Sequence, residues 1–421
     1  MQVDNYYKIN QGDRSLVITK DPMSWFLCDA KKTDSIEQSL AKENSELNKL
    51  IHQNAKMSRK PQNKHLAMYP VIKLTNRCNL NCSHCYIQAH DSMKKGKCDL
   101  EFRDVRRFID YIINLGDELG EPTLTLQLFG GEPTLHNDFL EIVEYIRSKG
   151  IYVKVSTNAA NVKHFQSGSF DKYFDDKNVE WRVSLESHIP EAHNKIRPNS
   201  YHKVVDNLAY MAERKANISI KTIVSHHNFS HFEDTIYFSK EIGATNYLYS
   251  PMSLTGAALK NSLTSGITSL MINKKVIKLI ERDPIMGKFF RPSPLARYLK
   301  LIYTKDSSVL PRVQFFLNHD GKICPQDNLY ENPEFHFGNV QNSDFRFEKV
   351  KHYQKILESE LKPCKNCPIE GYCPKGDYAD IVANNRELTE EFSICSDIRE
   401  VIYYLMSIKQ RGIRILESIY G

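Results

Sequence analysis

The run Cys78-Asn79-Leu80-Asn81-Cys82-Ser83-His84-Cys85 sets three thiols close together in the chain. A [4Fe–4S] cluster takes four thiolates, so three leave one iron open to a small molecule. Zinc fits this spacing poorly, because structural zinc sites close with four ligands in pairs and no neighbouring pair completes this set. His84 adjoins Cys85, too near to share a metal with it easily. A second set lies far downstream, with Cys364, Cys367 and Cys373 in the pattern CxxCx5C and Cys395 twenty-two residues beyond. Four thiolates close either a cluster or a tetrahedral zinc site, and spacing alone leaves both open. Between the two sets, Gly130-Gly131-Glu132-Pro133 follows an alternating apolar strand, Leu124 to Leu128. Paired glycines let a backbone approach a ligand without side-chain clash, and the Glu132 carboxylate can accept hydrogen bonds from an ammonium.

In this order, after the apolar strand Val71-Ile72-Lys73-Leu74, the segments CNLNCSHCY and GGEP resemble the radical S-adenosylmethionine (radical SAM) enzymes. The resemblance implies a [4Fe–4S] cluster on Cys78, Cys82 and Cys85 whose open iron binds the amino and carboxylate groups of SAM. In that family an electron, here from an external donor such as flavodoxin or ferredoxin, breaks the sulfonium bond, and a 5′-deoxyadenosyl radical takes a hydrogen atom from the substrate. It further implies that Gly130, Gly131 and Glu132 receive the methionyl amino group. Asn158, in Ser156-Thr157-Asn158, resembles a ribose contact, and Ser184 in VSLES and Arg197 in EAHNKIRP resemble the holders of the carboxylate, which suits the paired donors of an arginine. One departure stands out: Glu186-Ser187 occupies the place where relatives commonly carry Asp-Gly, so this loop is expected to be shaped for a different substrate.

The downstream cysteines resemble the SPASM extension found behind the radical SAM core of many peptide-modifying enzymes. The resemblance implies one closed auxiliary [4Fe–4S] cluster on Cys364, Cys367, Cys373 and Cys395. Cys324, in HDGKICP, matches one ligand of a second cluster, but no cysteine precedes it at the expected distance and Asp377 stands where another ligand belongs. Cys324 is then a relic or a free thiol able to donate a hydrogen atom at the radical site.

The elements that must position these residues recur near every thirty residues, the length of a βαβ unit. Strands are expected near 71–75, 124–128, 151–156, 180–185, 218–224 and 246–250. Asp138 with Glu141, and Ser230 with Glu233, read as capping boxes of helices ending at Gly150 and Gly243. The expectation is an α/β fold: a partial (β/α)6 radical SAM barrel over 66–260, a helical connection over 261–304, a SPASM-like auxiliary cluster domain over 305–400 and a C-terminal helix over 401–421. Ahead of it, 1–65 reads as a small α+β unit. Its strands lie at Tyr6 to Ile9, Leu16 to Thr19 and Trp25 to Cys28, followed by a charged helix from Asp34 to Met57 and a polar linker from Ser58 to Lys64. That layout resembles the winged-helix-like recognition element that takes a leader peptide as an added strand; a plain extension packing on the barrel is the alternative.

The 421 residues carry 57 lysines and arginines against 51 acidic residues, a mild +6 balance. No signal peptide, membrane span or nucleic-acid signature is evident, and ten cysteines in motif spacing read as metal ligands of a cytoplasmic protein rather than disulfides. The expected activity is hydrogen abstraction from a ribosomally made precursor peptide, giving a C–S or C–C cross-link or an epimerised residue. A sulfatase-maturating enzyme, a small-molecule radical SAM enzyme and a zinc-binding interaction protein are the alternatives.

Overall fold

The structure is a computed structural model. It describes residues 6–20, 24–40, 45–47, 49, 51, 68–94, 96, 98–119, 125–263, 266–304, 313–355, 364, 367–373 and 395–421. The linker at 58–64, the expected helix beyond residue 51 and Asp377 lie outside the described residues.

Three short strands, β1 (Tyr6–Gln11), β2 (Arg14–Thr19) and β3 (Ser24–Asp29), form an antiparallel sheet of their own in that order. The helix α1 (Thr33–Leu40) follows. This sheet rests on the end of the chain: Leu16, Val17 and Ile18 are fully buried, Gln11 Nε2 donates to the Tyr403 carbonyl at 3.4 Å, and the Trp25 and Tyr303 rings lie 6.1 Å apart.

The second sheet has ten strands and a mixed α/β surround. Its parallel centre runs β4 (Met68–Lys73), β5 (Thr125–Phe129), β6 (Tyr152–Thr157), β7 (Val179–Ser184), β8 (Asn217–Val224) and β9 (Asn246–Pro251). All six expected strands are present within a few residues. Period-two patterning explains their two faces. Val153 and Val155 of β6, Trp181 and Val183 of β7, and Ile218 and Ile220 of β8 are buried, whereas Lys154, Ser156, Arg182, Ser184 and Lys221 occupy the alternate positions. The Trp181 ring is packed within 5.1–6.2 Å of Phe139, Phe165, Phe170 and Phe174.

The sheet does not stop at six strands. β10 (Val313–Leu317) pairs in parallel with β4, and β11 (Lys322–Cys324), β12 (Gly338–Asn339) and β13 (Asp344–Phe345) continue from it antiparallel. Segments expected to belong to a separate C-terminal unit therefore extend the barrel sheet from the strand that precedes the three-cysteine loop.

The crossover helices bury one face each, as in α2 (Phe102–Leu119) and α3 (Phe139–Ser148), the latter through Phe139, Ile142, Val143 and Ile146. Neither expected capping box forms. Asp138 makes no side-chain cap bond to α3. The next predicted helix starts with His231 as its cap and spans Phe232–Glu241, while Glu233 pairs with Arg282 instead of turning back on the helix end. Gly243 does serve the stop: it adopts φ +96°, and a Cβ there would sit 2.7 Å from the Ala212 side chain.

Candidate active site

A cavity of about 1280 Å³ opens at the C-terminal ends of the parallel strands, the face where α/β sheets place ligands. Cys78, Cys82 and Cys85 lie on its wall, on the loop that leaves β4. Backbone bonds set the loop: Cys85 N donates to the Cys82 carbonyl at 3.3 Å and Ser83 N to the Ile196 carbonyl at 3.0 Å. Side chains from other strand ends reach the sulfurs. Asn158 Nδ2 lies 3.8 Å from Cys78 Sγ, and Arg197 Nη1 lies 3.7 Å from Cys82 Sγ. Burial, with Glu132 and the other two sulfurs adding, pushes the Cys78 thiol up to about 12. Among the described residues no three or more His, Cys, Asp or Glu converge as a single metal ion requires. The three thiols line one cavity.

The two glycines pack against the loop that carries the cysteines. Gly131 N donates to the Thr75 carbonyl at 2.8 Å and Glu132 N to the Arg77 carbonyl at 2.7 Å. A Cβ on Gly131 would fall 2.2 Å from the Arg77 oxygen, and one on Gly130 2.8 Å from the Thr75 oxygen. The close approach is therefore to the chain's own cysteine loop, although both glycines also border the cavity.

Glu132 is buried behind that wall. Its Oε1 accepts from Thr134 Oγ1 and Thr157 Oγ1, each at 2.7 Å, and its Oε2 from Asn158 N at 2.7 Å. Burial raises its pKa, and these bonds oppose the rise. The carboxylate thus ties the GGEP turn to the Ser156-Thr157-Asn158 segment. Asn158 in turn donates from Nδ2 to Asn79 Oδ1 at 2.8 Å, so it touches the cysteine loop directly.

Arg197 and Glu186 form a buried ion pair, Nε to Oε1 at 2.6 Å, and Glu186 Oε2 accepts from Ile223 N at 2.7 Å. Although burial works to raise it, the Arg197 guanidinium holds the Glu186 carboxyl below the usual glutamate range. The departure at Glu186 therefore fixes the arginine. One edge of the guanidinium is engaged, which leaves the rest to face the cavity. Ser184 lies on the wall.

His84, set aside as a metal ligand, is nearly buried, lowered to about 4 by burial, and so neutral near pH 7; its Nδ1 has no hydrogen-bond partner among the described residues. Several other lining residues escaped the sequence reading. Tyr86 stacks on Phe129 at 5.9 Å, and Phe129 meets Phe316 edge-on at 5.9 Å. Cys98, His319, Asp327 and Tyr330 also face the cavity. The signal missed was topological: β10 and its following loop close one side of a site expected to belong to the barrel alone.

Cys324 is fully buried and is not on the cavity wall; its sulfur lies 3.0 Å from the Gln326 carbonyl and accepts from Asn318 Nδ2 at 3.3 Å. Cys364, Cys367, Cys373 and Cys395 are all partly buried against the main core. Cys367 N donates to the Cys364 carbonyl at 3.1 Å, and Cys395 opens the helix Cys395–Ser407. None of the four borders the cavity.

Residues 72–238 match the model of the Radical SAM superfamily. The chain carries a radical SAM domain. The AdoMet-dependent heme synthase of Methanosarcina barkeri is 27% identical over 344 residues, 73% of this chain and 93% of its own length. Two solved structures share the fold: SuiB of Streptococcus suis bound to precursor peptide SuiA (14% identity, TM-score 0.61, 92% of this chain and 100% of that one) and native anSMEcpe with bound AdoMet and Kp18Cys peptide (19%, TM-score 0.64, 84% and 100%). A radical SAM domain implies a [4Fe–4S] cluster and SAM, and the cavity offers both the thiols and the room. No helix among the described residues is long and apolar enough to cross a membrane.

Proposed function

We propose that this chain is a radical SAM maturase that modifies a ribosomally made precursor peptide, forming a C–S or C–C cross-link or an inverted centre. The observation that carries the reading is the 1280 Å³ cavity, which has the cysteine loop on one side and β10 with its following loop on another, and so has room for a second ligand beside SAM. Peptide complexes among the structures of this fold support the choice of substrate.

On this reading Cys78, Cys82 and Cys85 would hold the cluster, and Gly130, Gly131, Asn158, Ser184 and Arg197, which border the cavity, would receive SAM around it. When bound, the cluster and SAM together supply hydrogen-atom abstraction from an unactivated carbon. The chain's own contribution is orientation. Glu132 locks two strand-end loops together, Glu186 fixes Arg197, and the aromatic wall of Tyr86, Phe129 and Phe316 excludes water from the reacting carbon. Cys364, Cys367, Cys373 and Cys395 would hold an auxiliary [4Fe–4S] cluster, which would supply an electron acceptor for a cross-link formed by loss of two electrons. The reductant is an external donor such as flavodoxin or ferredoxin, and residues 1–65 bind the leader.

A second reading, a carboxylate-bearing small molecule as substrate, is favoured by the heme synthase relative, which aligns over most of its length. Anaerobic reconstitution followed by dithionite and SAM tests the class: 5′-deoxyadenosine is expected. Incubation with short peptides encoded beside the gene, read by mass spectrometry for a loss of two hydrogens or deuterium incorporation, tests the substrate. Absence of both changes, with 5′-deoxyadenosine still produced, would remove the peptide.

A further inference from the structure

Among the described residues, four lysine and arginine side chains line the cavity: Lys73, Arg182, Arg197 and Lys221. Three have a carboxylate partner. Lys73 meets Asp327 at 3.3 Å, Arg182 meets Glu180 at 2.9 Å and Arg197 meets Glu186 at 2.6 Å. Lys221 has neither an ion pair nor a hydrogen bond to its ammonium among the described residues. It lies on β8 opposite Ser184, and its side chain is open to the cavity while protein encloses the cavity around it. The carboxylate whose charge reaches it, Glu186, is already engaged by Arg197 and by Ile223 N.

A cation kept in an enclosed space without a counter-charge is costly, and Arg182 and Arg197 add repulsion. Enclosure, then those neighbours, hold the Lys221 pKa below the ordinary lysine value. An arriving anion would relieve both effects. On the reading proposed above, the polar groups of SAM are met by Asn158, Ser184 and Arg197, which leaves the second ligand as the source of that anion.

We infer that Lys221 receives a carboxylate of the substrate inside the cavity and so determines which substrates are held. This rests on the proposed function and narrows it to a peptide bearing an aspartate or glutamate near the reacting residue. A small-molecule carboxylate presents the same chemistry, so both sources enter the test.

The anaerobically reconstituted full-length protein, loaded with SAM, is used to capture peptides from a random heptapeptide library, comparing the wild type with K221R, K221M and K221E. The wild type is expected to enrich Asp or Glu at one position about tenfold or more. K221R should keep the preference, K221M should lose it and K221E should favour Lys or Arg, with SAM affinity within about twofold throughout. Protoporphyrin IX is tested against its dimethyl ester in parallel. Wild-type preference for the free acid that K221M loses, without peptide enrichment, would keep the carboxylate assignment and sink the peptide reading. Acidic enrichment unchanged in K221M, wild type indifferent to acid in both probes, or a tenfold loss of SAM affinity in K221M would each overturn the inference. Iron content and SAM binding of the wild type, measured first, separate these outcomes from a failure of the radical SAM reading itself.

Discussion

Arg197 Nε donates to Glu186 Oε1 at 2.6 Å, and neither side chain has much contact with solvent. Removing one partner of such a pair strands the other charge, so Glu186→Gln should cost about 3–5 kcal/mol. It should also loosen the guanidinium beside Cys82. Urea unfolding of the mutant and wild type, with SAM affinity measured on the same samples, checks both. An unchanged midpoint would show that the pair is not holding the site.

The acid side of the stability profile has a source in the same place. His193 accepts from Glu186 N at 3.2 Å through Nδ1 and meets Ser200 Oγ at 2.9 Å through Nε2, an arrangement that requires the neutral ring. Burial lowers its pKa from 6.5 to about 4. A depressed folded value gives stability that is full above 6.5 and is lost as pH falls toward about 4. Urea midpoints across that window should decline in the wild type and decline less steeply in His193→Gln.

Gly131→Ala should disturb the cysteine loop, because its Cβ would fall 2.2 Å from the Arg77 carbonyl oxygen, an atom that cannot rotate away. Overpacking of this kind costs about 1–3 kcal/mol. Gly130→Ala, at 2.8 Å, should be milder. Iron bound per chain after reconstitution should fall in the order wild type, Gly130→Ala, Gly131→Ala.

The cysteine sets should separate by spectroscopy. Replacing Cys78, Cys82 and Cys85 by alanine should abolish 5′-deoxyadenosine while leaving roughly half the iron. Replacing Cys364, Cys367, Cys373 and Cys395 should leave SAM cleavage in place with a similar loss of iron. Equal loss of SAM cleavage in both would contradict separate roles.

Cys324→Ala should leave turnover within about twofold, since the thiol is buried outside the cavity wall, packs with Val71 and Phe316, and bonds to Asn318 and nearby carbonyls. A product that changes from repaired to uncoupled in this variant would restore the hydrogen-donor role.

Much of the scaffold was readable because its signals are local. Alternation in Tyr152–Thr157 and Val179–Ser184 located the strands, and the cysteine and glycine motifs located the cavity rim. What was not readable depends on partners distant in sequence. The pairing of Val313–Leu317 with Met68–Ile72 leaves no local pattern, so the far wall of the cavity was invisible. The capping box at Ser230 failed because Glu233 is drawn to Arg282, a residue on another helix. Glu186 read as a departure in a loop; only its buried contact with Arg197 shows what the longer acid does.

The parallel pairing of β10 with β4 also orders events during synthesis. Met68 emerges from the ribosome about 245 residues before its partner Val313, so one edge of the strand leading into the cysteine loop stays bare throughout that interval. A bare edge invites pairing with other chains, and contacts this distant in sequence form slowly. Nascent chains should therefore need a holding chaperone until β10 arrives, and versions cut before residue 313 should aggregate rather than yield a free-standing catalytic half.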